Sequence, residues 1–260
     1  MSSPATLDCN DDTTVFGLDT YLKHYYPDLD KSTSESLVNI FLLDSLHDIF
    51  NSVVGVSGNR LIDIGAGPCV YQFISACTKF NEIVATDLSK ENQDAIQRWV
   101  NENADAFEWS QYVKYVCELE GHQNTVDREK EMRKAIQNVT YCDFSKKYPV
   151  GSSDSPLYDC VLTGFCIECI VNSQQQWVQY LNNASNLLKS GGWFVQLCMP
   201  ADFYMIGDAR MSCFKVDEEF VLKALKEAGF VVVKSYLTKH TSTRSYMNYE
   251  FTMVVLARKL

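Results

Sequence analysis

Long apolar runs, a basic amino terminus and an excess of positive charge are all missing from this sequence of 260 residues. No stretch reaches the ~20 apolar residues that a membrane-spanning helix needs, so no membrane segment is predicted. The first residues, MSSPATLDCNDDTTVFGLDT, have neither a basic start nor an apolar core, which predicts no secretory signal. The net charge of −10 disfavours nucleic acid as a partner. These absences favour a soluble protein of the cytoplasm.

A second Cys-x-x-Cys pair is also missing. Cys166 and Cys169 form one such pair, and a structural zinc site needs two more ligands at workable spacing. Other cysteines, among them Cys69, Cys160 and Cys198, lie in apolar runs, as buried reduced thiols do. The sequence therefore predicts neither a metal site nor a disulfide framework.

What the sequence does contain is an alternation of helical and strand patterns. TSESLVNIFLLDSLHDIF has helical spacing, and Ser32 with Glu35 predicts a capping box at its start. Buried strands are predicted at LIDIG, EIVATD, NVTYCD, YDCVLTGF and WFVQLCM, and a terminal strand pair at FVVVKSYLT and EFTMVVLAR. Helices are predicted at 71–80, 90–103, 174–188 and VDEEFVLKALKEAG, with a solvated helix in HQNTVDREKEMRKAIQ.

This order of elements predicts an α/β fold. We expect a doubly wound, mainly parallel seven-stranded sheet with an antiparallel C-terminal edge and an N-terminal helical cap. No repeat or low-complexity linker divides the chain, which predicts a single domain. Within it, residues 1–58 would form the cap or lid and residues 59–260 a Rossmann-like core.

The loop in LIDIGAGPCVYQ lacks the third glycine of a dinucleotide-binding turn. Gly65 and Gly67 match the first two glycines of G-x-G-x-x-G, but Val70 stands at the third position and Tyr71 follows it. The third glycine packs the helix tightly under a pyrophosphate, so its absence argues against a dinucleotide. The two glycines that remain still let a ligand approach the backbone closely.

Acidic residues end three of the predicted strands. Asp63, Asp87 and Asp143 would lie at the carboxyl edge of the sheet, where ligands of such folds bind. Asp87 is placed to accept both ribose hydroxyls, and Cys142 and Phe144 could flank a purine whose amine donates to Asp143. Three carboxylates suit a cationic ligand that carries adenosine, which describes S-adenosylmethionine.

At this point the sequence resembles a known family. LIDIGAGP, VATD, TYCDF and LLKSGGWFV resemble class I S-adenosylmethionine-dependent methyltransferases. The pieces DTYLKHYY, GAGPCVYQ, ISAC, VKYVCELEG, FYMIG and LARK are similar to the nicotinamide, phenylethanolamine and indolethylamine N-methyltransferase family, from about Tyr21 to Lys259. The resemblance implies S-adenosylmethionine as cofactor and a small pyridine or amine as acceptor, with a nicotinamide-like acceptor favoured. It also implies a monomer that needs no metal.

The resemblance assigns roles to individual residues. Those implied to bind the cofactor are Tyr21, Tyr26, Gly65, Ala66, Gly67, Tyr71, Asp87, Asn92, Asp143 and Phe144. Those implied to contact the acceptor are Tyr204, Leu197 and Ser212. Tyr21 and Tyr204 would position the substrates, Tyr71 would bond the methionine carboxylate, and no side chain would act as a catalytic nucleophile.

The acceptor is where the sequence leaves alternatives open. Nicotinamide-specific relatives carry an acidic residue where Leu197 stands, so the carboxylate that would engage the amide is absent here. Glu168 is another candidate for an acceptor-side carboxylate, with a solvated loop residue as an equal alternative. An arylalkylamine or thioether acceptor, a nicotinamide-dependent oxidoreductase and an inactive cofactor-binding regulator remain as competing hypotheses. Asn248 and Glu250, near the terminal hairpin, receive no role.

Overall fold

The structure is a computed structural model and describes residues 6–7, 17–121, 124–239 and 247–260. In these ranges the α-helices are Leu18–Tyr25 (α1), Ser34–Ser52 (α2), Lys90–Val100 (α3), Ser110–Leu119 (α4), Thr125–Ala135 (α5), Ile167–Ile170 (α6), Gln174–Ser185 (α7) and Glu218–Glu227 (α8). The strands are Thr6–Leu7 (β1), Gly58–Ile64 (β2), Phe80–Asp87 (β3), Ile136–Tyr141 (β4), Tyr158–Gly164 (β5), Leu188–Cys198 (β6), Phe203–Ile206 (β7), Ala209–Ser212 (β8), Phe230–Lys239 (β9) and Phe251–Lys259 (β10).

Seven strands form one sheet in the order β4-β3-β2-β5-β6-β10-β9. The first five run parallel, and β10 pairs antiparallel with both β6 and β9. This arrangement confirms the predicted fold class. The strand order reverses between β2 and β5, because β3 and β4 follow β2 on one side while β5 and β6 extend the other. Ligands of open α/β sheets bind at such a reversal, so the loops after β2 and β5 border the expected site.

Apolar side chains cover both faces of the sheet. Leu61 and Ala85 point to one face, where helices α2, α4 and α5 pack, whereas Ile62 and Val84 point to the other, which α7 and α8 cover. All four are almost inaccessible to solvent. Burial on both faces explains why these strands appear in the sequence as continuous apolar runs rather than alternating ones. Among the described residues, no helix has the length and apolarity to cross a membrane.

The helix predicted at 71–80 is wrong. Tyr71–Phe73 and Ala76–Thr78 form two short 3-10 helices instead, and β3 begins at Phe80. Residues 71–76 are all buried. The Gln72 amide also donates to Asp63 at 2.8 Å and to the carbonyl of Cys69 at 3.2 Å, which fixes the first turn against the glycine loop.

The charged stretch after residue 121 is not simply a solvated helix. Helix α5 buries Arg128 and Met132, and the Arg128 guanidinium donates to Glu120 at 2.5 Å and to the carbonyl of Ile74 at 3.1 Å. Helix α4 precedes it and was not predicted. A buried, paired arginine looks like a surface charge in sequence, because the pattern does not show its partners.

A small second sheet, with the order β1-β8-β7, was also not predicted. Strand β7 pairs antiparallel with β8, and Tyr204 of β7 forms an isolated bridge with Met247. Within β6, the pairing with β5 shifts register between Leu188 and Trp193. The helix before it ends at Ser185 rather than at Leu188.

Helix α2 begins one residue later than the predicted capping box requires. Thr33 is the N-cap, and its hydroxyl accepts from the Ser36 amide at 3.1 Å. Ser32 lies outside the helix, where its amide donates to Asp30 at 2.8 Å. The predicted box of Ser32 with Glu35 is therefore wrong by one position, since two adjacent hydroxyl residues offer the same sequence signal.

This assignment predicts the stability of two adjacent variants. We expect Thr33→Ala to lower the free energy of unfolding by about 1 kcal/mol, because it removes the cap of α2. Ser32→Ala should change it by less than about 0.5 kcal/mol, as an exposed substitution outside the helix. Urea denaturation of both variants measures the difference. A larger loss for Ser32→Ala than for Thr33→Ala would contradict the cap.

Candidate active site

The loop after β2 is held open by two glycines in left-handed conformations. Gly65 has φ 70° and Gly67 has φ 61°. A Cβ on Gly65 would lie 2.3 Å from the Cys166 sulfur, so the loop packs directly against the segment after β5. A Cβ on Gly67 would meet no atom within 4 Å, because this residue borders open space. The two glycines therefore serve different ends: close packing at Gly65 and ligand access at Gly67.

Asp87, at the end of β3, fixes this loop in place. One carboxylate oxygen accepts from the Gly67 amide at 2.9 Å, and the other accepts from the Ser89 amide at 2.8 Å and the Asn92 amide group at 3.1 Å. Burial raises the pKa of Asp87, and these three donors act in the opposite direction. Ser89 is also the N-cap of α3. The spacing of Ser89 and Asn92 is the sequence signal that could have predicted this network.

Asp63 is the second carboxylate of the site, and the resemblance did not assign it a contact. It is 1% exposed; one oxygen accepts from Gln72 at 2.8 Å, and Oδ1 has no hydrogen-bond partner among the described residues. Burial raises its pKa to about 8, and the nearby charge of Asp87 acts in the same direction. Two carboxylates on one cavity wall, one with an unpaired oxygen, present a binding site for a positively charged group.

Asp143 and Phe144 lie at the end of the site beyond β4. Asp143 accepts from the Ser145 amide at 3.0 Å and hydroxyl at 2.6 Å, and Lys146 lies 3.5 Å away. Partial burial acts to raise the pKa of Asp143, but these partners hold it below its usual value. The Phe144 ring packs against Tyr180 with centroids 5.5 Å apart. Tyr180 was missed by sequence reasoning, because it lies far along the chain in α7.

Aromatic rings bring the N-terminal helix onto the site. Tyr26 packs against Tyr21 at 6.0 Å, Tyr71 at 5.5 Å and Trp109 at 5.1 Å between ring centroids. Burial raises the pKa of the Tyr21, Tyr26 and Tyr71 phenols well above the usual value, so they stay neutral hydrogen-bonding groups near pH 7. Trp109 is another residue that the sequence pattern did not single out.

A large cavity of about 820 Å³ joins these parts. Each residue that was predicted to bind the cofactor lines it, namely Tyr21, Tyr26, Gly65, Ala66, Gly67, Tyr71, Asp87, Asn92, Asp143 and Phe144. The unpaired Asp63 oxygen is suited to accept a hydrogen bond from the ammonium of S-adenosylmethionine. The open space at Gly67 would let this ligand approach the backbone of the loop closely. Among the described residues, no cluster of three or more His, Cys, Asp or Glu side chains could hold a metal ion.

A smaller cavity of about 100 Å³ adjoins the large one. Tyr21, Tyr26 and Tyr204 line both. Glu168 lies on its wall with 1% exposure and accepts from the Met199 amide at 2.8 Å, while Oε2 has no hydrogen-bond partner in the part of the chain that the structure describes. Burial raises the pKa of Glu168 to about 7. The solvated alternative for Glu168 is wrong, because the short helix α6 turns this side chain inward.

The residues implied to contact the acceptor occupy different places. Tyr204 lines both cavities, and the buried Leu197 lines the large one. Ser212 lines neither, whereas its neighbour Cys213 lines the smaller cavity. The Asp202 backbone amide donates to Asn248 Oδ1 at 2.9 Å, and Asn248 Nδ2 donates to the Asp202 carboxylate at 2.6 Å. Glu250 forms an ion pair with Lys215 at 2.8 Å. These last contacts give Asn248 and Glu250 structural partners.

The sheet is doubly wound, a two-glycine loop follows its first core strand, and a carboxylate ends its second core strand. The cavity beside them suits a cationic adenosyl ligand. Together these features are typical of the class I S-adenosylmethionine-dependent methyltransferases. The chain is a member of that class. Residues 5–260 match the model of the NNMT/PNMT/TEMT family, so the chain belongs to this family. It is an S-adenosylmethionine-dependent N-methyltransferase.

Named relatives support the assignment. The chain is 36% identical to nicotinamide N-methyltransferase of Homo sapiens over 242 residues, which cover 92% of this chain and 91% of the relative. It is 35% identical to indolethylamine N-methyltransferase of Mus musculus, over 92% of this chain and 91% of the relative. The magnesium protoporphyrin IX methyltransferase ChlM of Synechocystis PCC 6803, solved with bound SAM, has the same fold, with a TM-score of 0.57, 14% identity and coverage of 96% and 93%.

The site geometry predicts different costs for two carboxylates. We expect Asp87→Ala to weaken S-adenosylmethionine binding by about 30-fold or more, since it removes both the loop anchor and a charged acceptor. Asp143→Ala should cost about 5-fold, because its carboxylate is already engaged by Ser145 and Lys146. Isothermal titration calorimetry measures both. Asp94→Ala, which removes an exposed acid paired with Lys90, is the control, and affinities equal to the control for both variants would refute the assigned contacts.

Proposed function

We propose that this enzyme transfers the methyl group of S-adenosylmethionine to the nitrogen of a small arylalkylamine or of a pyridine that carries an N–H donor. The observation that supports this most directly is the Oε2 atom of Glu168, buried and unpaired on the wall of the smaller cavity. An unpaired buried carboxylate oxygen costs free energy until a donor reaches it. An ammonium or amide N–H of the acceptor would supply that donor.

The choice between an amine and a carboxamide depends on Leu197. A carboxamide such as that of nicotinamide needs polar partners on both of its ends, and Leu197, which lines the large cavity but not the smaller one, offers only an apolar wall at the end of β6. An arylalkylamine needs one acceptor for its ammonium and apolar surface for its ring. We therefore propose an arylalkylamine as the preferred acceptor and a nicotinamide-like pyridine as the second, since both kinds of activity occur among the named relatives.

The chemistry requires little from any single side chain. When bound, S-adenosylmethionine supplies a methyl group on a sulfonium that a neutral nitrogen lone pair can displace. Tyr21, Tyr26 and Tyr204 would hold the acceptor in line and exclude water. Glu168 would hold an amine acceptor and accept its proton before transfer, since a protonated amine has no lone pair. The tyrosine faces would then favour a cationic product by cation–π contact.

A thioether acceptor is less well supported. It offers no donor for the unpaired oxygen of Glu168, which would stay buried without a partner. The hypothesis of an inactive regulator is also less well supported, since the predicted cofactor residues line one cavity and a second cavity lies beside it. A nicotinamide-dependent oxidoreductase would need a different loop from the one that Val70 and Tyr71 form.

We also propose the organisation of the chain. Residues 1–58 would form a cap on a core of residues 59–260; within these bounds, residues 1–5, 8–16, 122–123 and 240–246 lie outside the described residues. Supporting contacts join the two: the Asn39 amide group donates to the Tyr112 hydroxyl at 3.1 Å, and the Trp193 indole donates to the Gly55 carbonyl at 2.7 Å. We propose a cytoplasmic monomer with no nucleic-acid partner. The net charge of −10 supports the last of these statements, because it would repel nucleic acid. Sedimentation velocity tests the monomer, and a dimer at micromolar concentration would refute it.

An acceptor panel tests the proposed function. The protein is incubated with S-adenosylmethionine labelled in the methyl group and with tryptamine, phenylethanolamine, nicotinamide or dimethyl sulfide. We expect kcat/KM to be highest for an arylalkylamine and lower for nicotinamide, with little transfer to the sulfide. Cofactor binding without transfer to any acceptor would favour the inactive regulator, and preferred transfer to the sulfide would overturn the role of Glu168.

The pH dependence of the reaction tests Glu168. Because burial raises its pKa to about 7, Glu168 is protonated below that pH and becomes an acceptor above it. We expect kcat/KM for an arylalkylamine to rise as pH increases through about 7. Glu168→Gln should remove this limb and lower kcat/KM at pH 8 by about 10-fold to 100-fold. Glu250→Gln, an exposed acid paired with Lys215, is the control, and an unchanged limb in Glu168→Gln would contradict the assignment.

A further inference from the structure

Two cysteine side chains meet on the wall of the smaller cavity. Cys169, in α6, and Cys213, directly after β8, have their sulfur atoms 3.5 Å apart. Both line the smaller cavity beside Glu168, and Cys169 also lines the large one. Both are half-buried, in contrast to Cys160 and Cys198, which lie within strands and have no exposure. A reagent that enters either cavity can therefore reach this thiol pair, whereas those strand thiols are closed off.

The backbone already holds the two segments together. The Phe214 amide donates to the Glu168 carbonyl at 2.7 Å. Cys213 precedes Phe214 and Cys169 follows Glu168, so this hydrogen bond holds the two cysteines near each other. The Cys213 amide also donates to the Asp202 carbonyl at 3.1 Å, and the Cys169 amide to the Cys166 carbonyl at 3.1 Å. Both cysteines are thus anchored by their main chains. A disulfide requires the sulfur atoms to approach by about 1.5 Å, to a bond of roughly 2.05 Å.

From this geometry we infer that Cys169 and Cys213 form a reversible disulfide that controls acceptor binding at the proposed methyl-transfer site. The inference rests on the proposed function for its effect on the acceptor, but not for the bond itself. The pair would be a modification site for small-molecule disulfides of the glutathione class. The sulfur atoms form part of the cavity wall next to Glu168, so joining them changes the shape of the space that the acceptor enters.

The bond forms by thiol–disulfide exchange. One cysteine loses its proton and attacks a sulfur atom of the small disulfide, which gives a mixed disulfide and releases one thiol. The second cysteine then loses its proton and displaces the remaining small thiol. Two cysteine thiols are oxidised to one disulfide, the small disulfide is reduced to two thiols, and the two protons end on those thiols. An excess of a small dithiol reverses the exchange.

The experiment separates bond formation from its effect. The full-length protein is equilibrated, without denaturant, in buffers of oxidised and reduced glutathione, then alkylated and digested for peptide mass mapping. We expect a peptide that links Cys169 to Cys213 under oxidising conditions and its loss after treatment with dithiothreitol. The acceptor KM of the linked form should rise about 5-fold or more, while the Kd of S-adenosylmethionine should change by less than about 2-fold.

Three single variants complete the design. Cys169→Ser and Cys213→Ser should each lose the linked peptide and the response of KM to oxidation, with each variant compared with its own reduced state. Cys77→Ser is the control, since Cys77 is half-buried but lines neither cavity, and it should keep both responses. Absence of the linked peptide in the folded wild type, or a link to Cys166 instead, would overturn the inference.

The two proposals fail in different ways. If no acceptor is methylated by the reduced protein, the proposed function fails while the peptide map still decides whether the bond forms. If the linked peptide forms but the acceptor KM stays unchanged, control of acceptor binding is refuted. A rise in KM that also occurs in both cysteine variants would equally refute it, because the effect would then come from another thiol.

Discussion

The hydrogen bond from the Gly67 amide to the Asp87 carboxylate is the contact on which the site depends. It joins the loop after β2 to the end of β3 across 20 positions of sequence, at a distance of 2.9 Å. The same carboxylate accepts from Ser89 at the start of α3, so one side chain fixes the loop, the strand end and the next helix together. The reversal of strand order next to β2 leaves a crevice at this point, and Asp87 determines which backbone atoms border it.

Burial explains the electrostatic character of the site. Asp63, Asp87 and Glu168 are each less than a tenth exposed, and each carboxyl has its pKa raised by that burial. Their hydrogen-bond partners are amides rather than cations, so a positively charged ligand would favour the ionised form of each carboxyl. A ligand with a sulfonium and an ammonium would supply that positive charge in the large cavity, and the proposed amine acceptor would supply it in the small one. The free-energy cost of burying these carboxyls in the empty protein would thus be offset when such a ligand binds.

Much of the site could be predicted from the sequence because its residues end strands or follow glycines. The alternation of elements predicts the sheet, and the carboxyl ends of parallel strands share one edge, so Asp63, Asp87 and Asp143 had to lie near one another. The loop was interpretable for the same reason: its left-handed residues are glycines. The resemblance to a family then supplied the tyrosines, whose roles depend on long-range packing that no local pattern reveals.

The rest could not be predicted because it depends on contacts between distant segments. Tyr71 to Phe80 has a helical pattern, but the segment forms two short 3-10 helices, the first held by the hydrogen bonds of Gln72 to Asp63 and Cys69. Arg128 resembles a surface charge until Glu120 is placed beside it. Cys169 and Cys213 are 44 positions apart and meet through the packing of α6 against the segment after β8. Each case depends on a contact with a residue distant in the sequence, and hydrophobic periodicity and composition do not reveal such contacts.

Tyr21 and Tyr26 form walls of both cavities at once, and this sharing has a structural consequence. The N-terminal helix is further tied down by Tyr25, whose hydroxyl donates to the Met205 carbonyl at 2.6 Å. An acceptor in the small cavity would contact the same two rings that border the large cavity, so one helix would shape both binding spaces. Any movement of this helix that reshapes the space for the donor would therefore reshape the space for the acceptor as well.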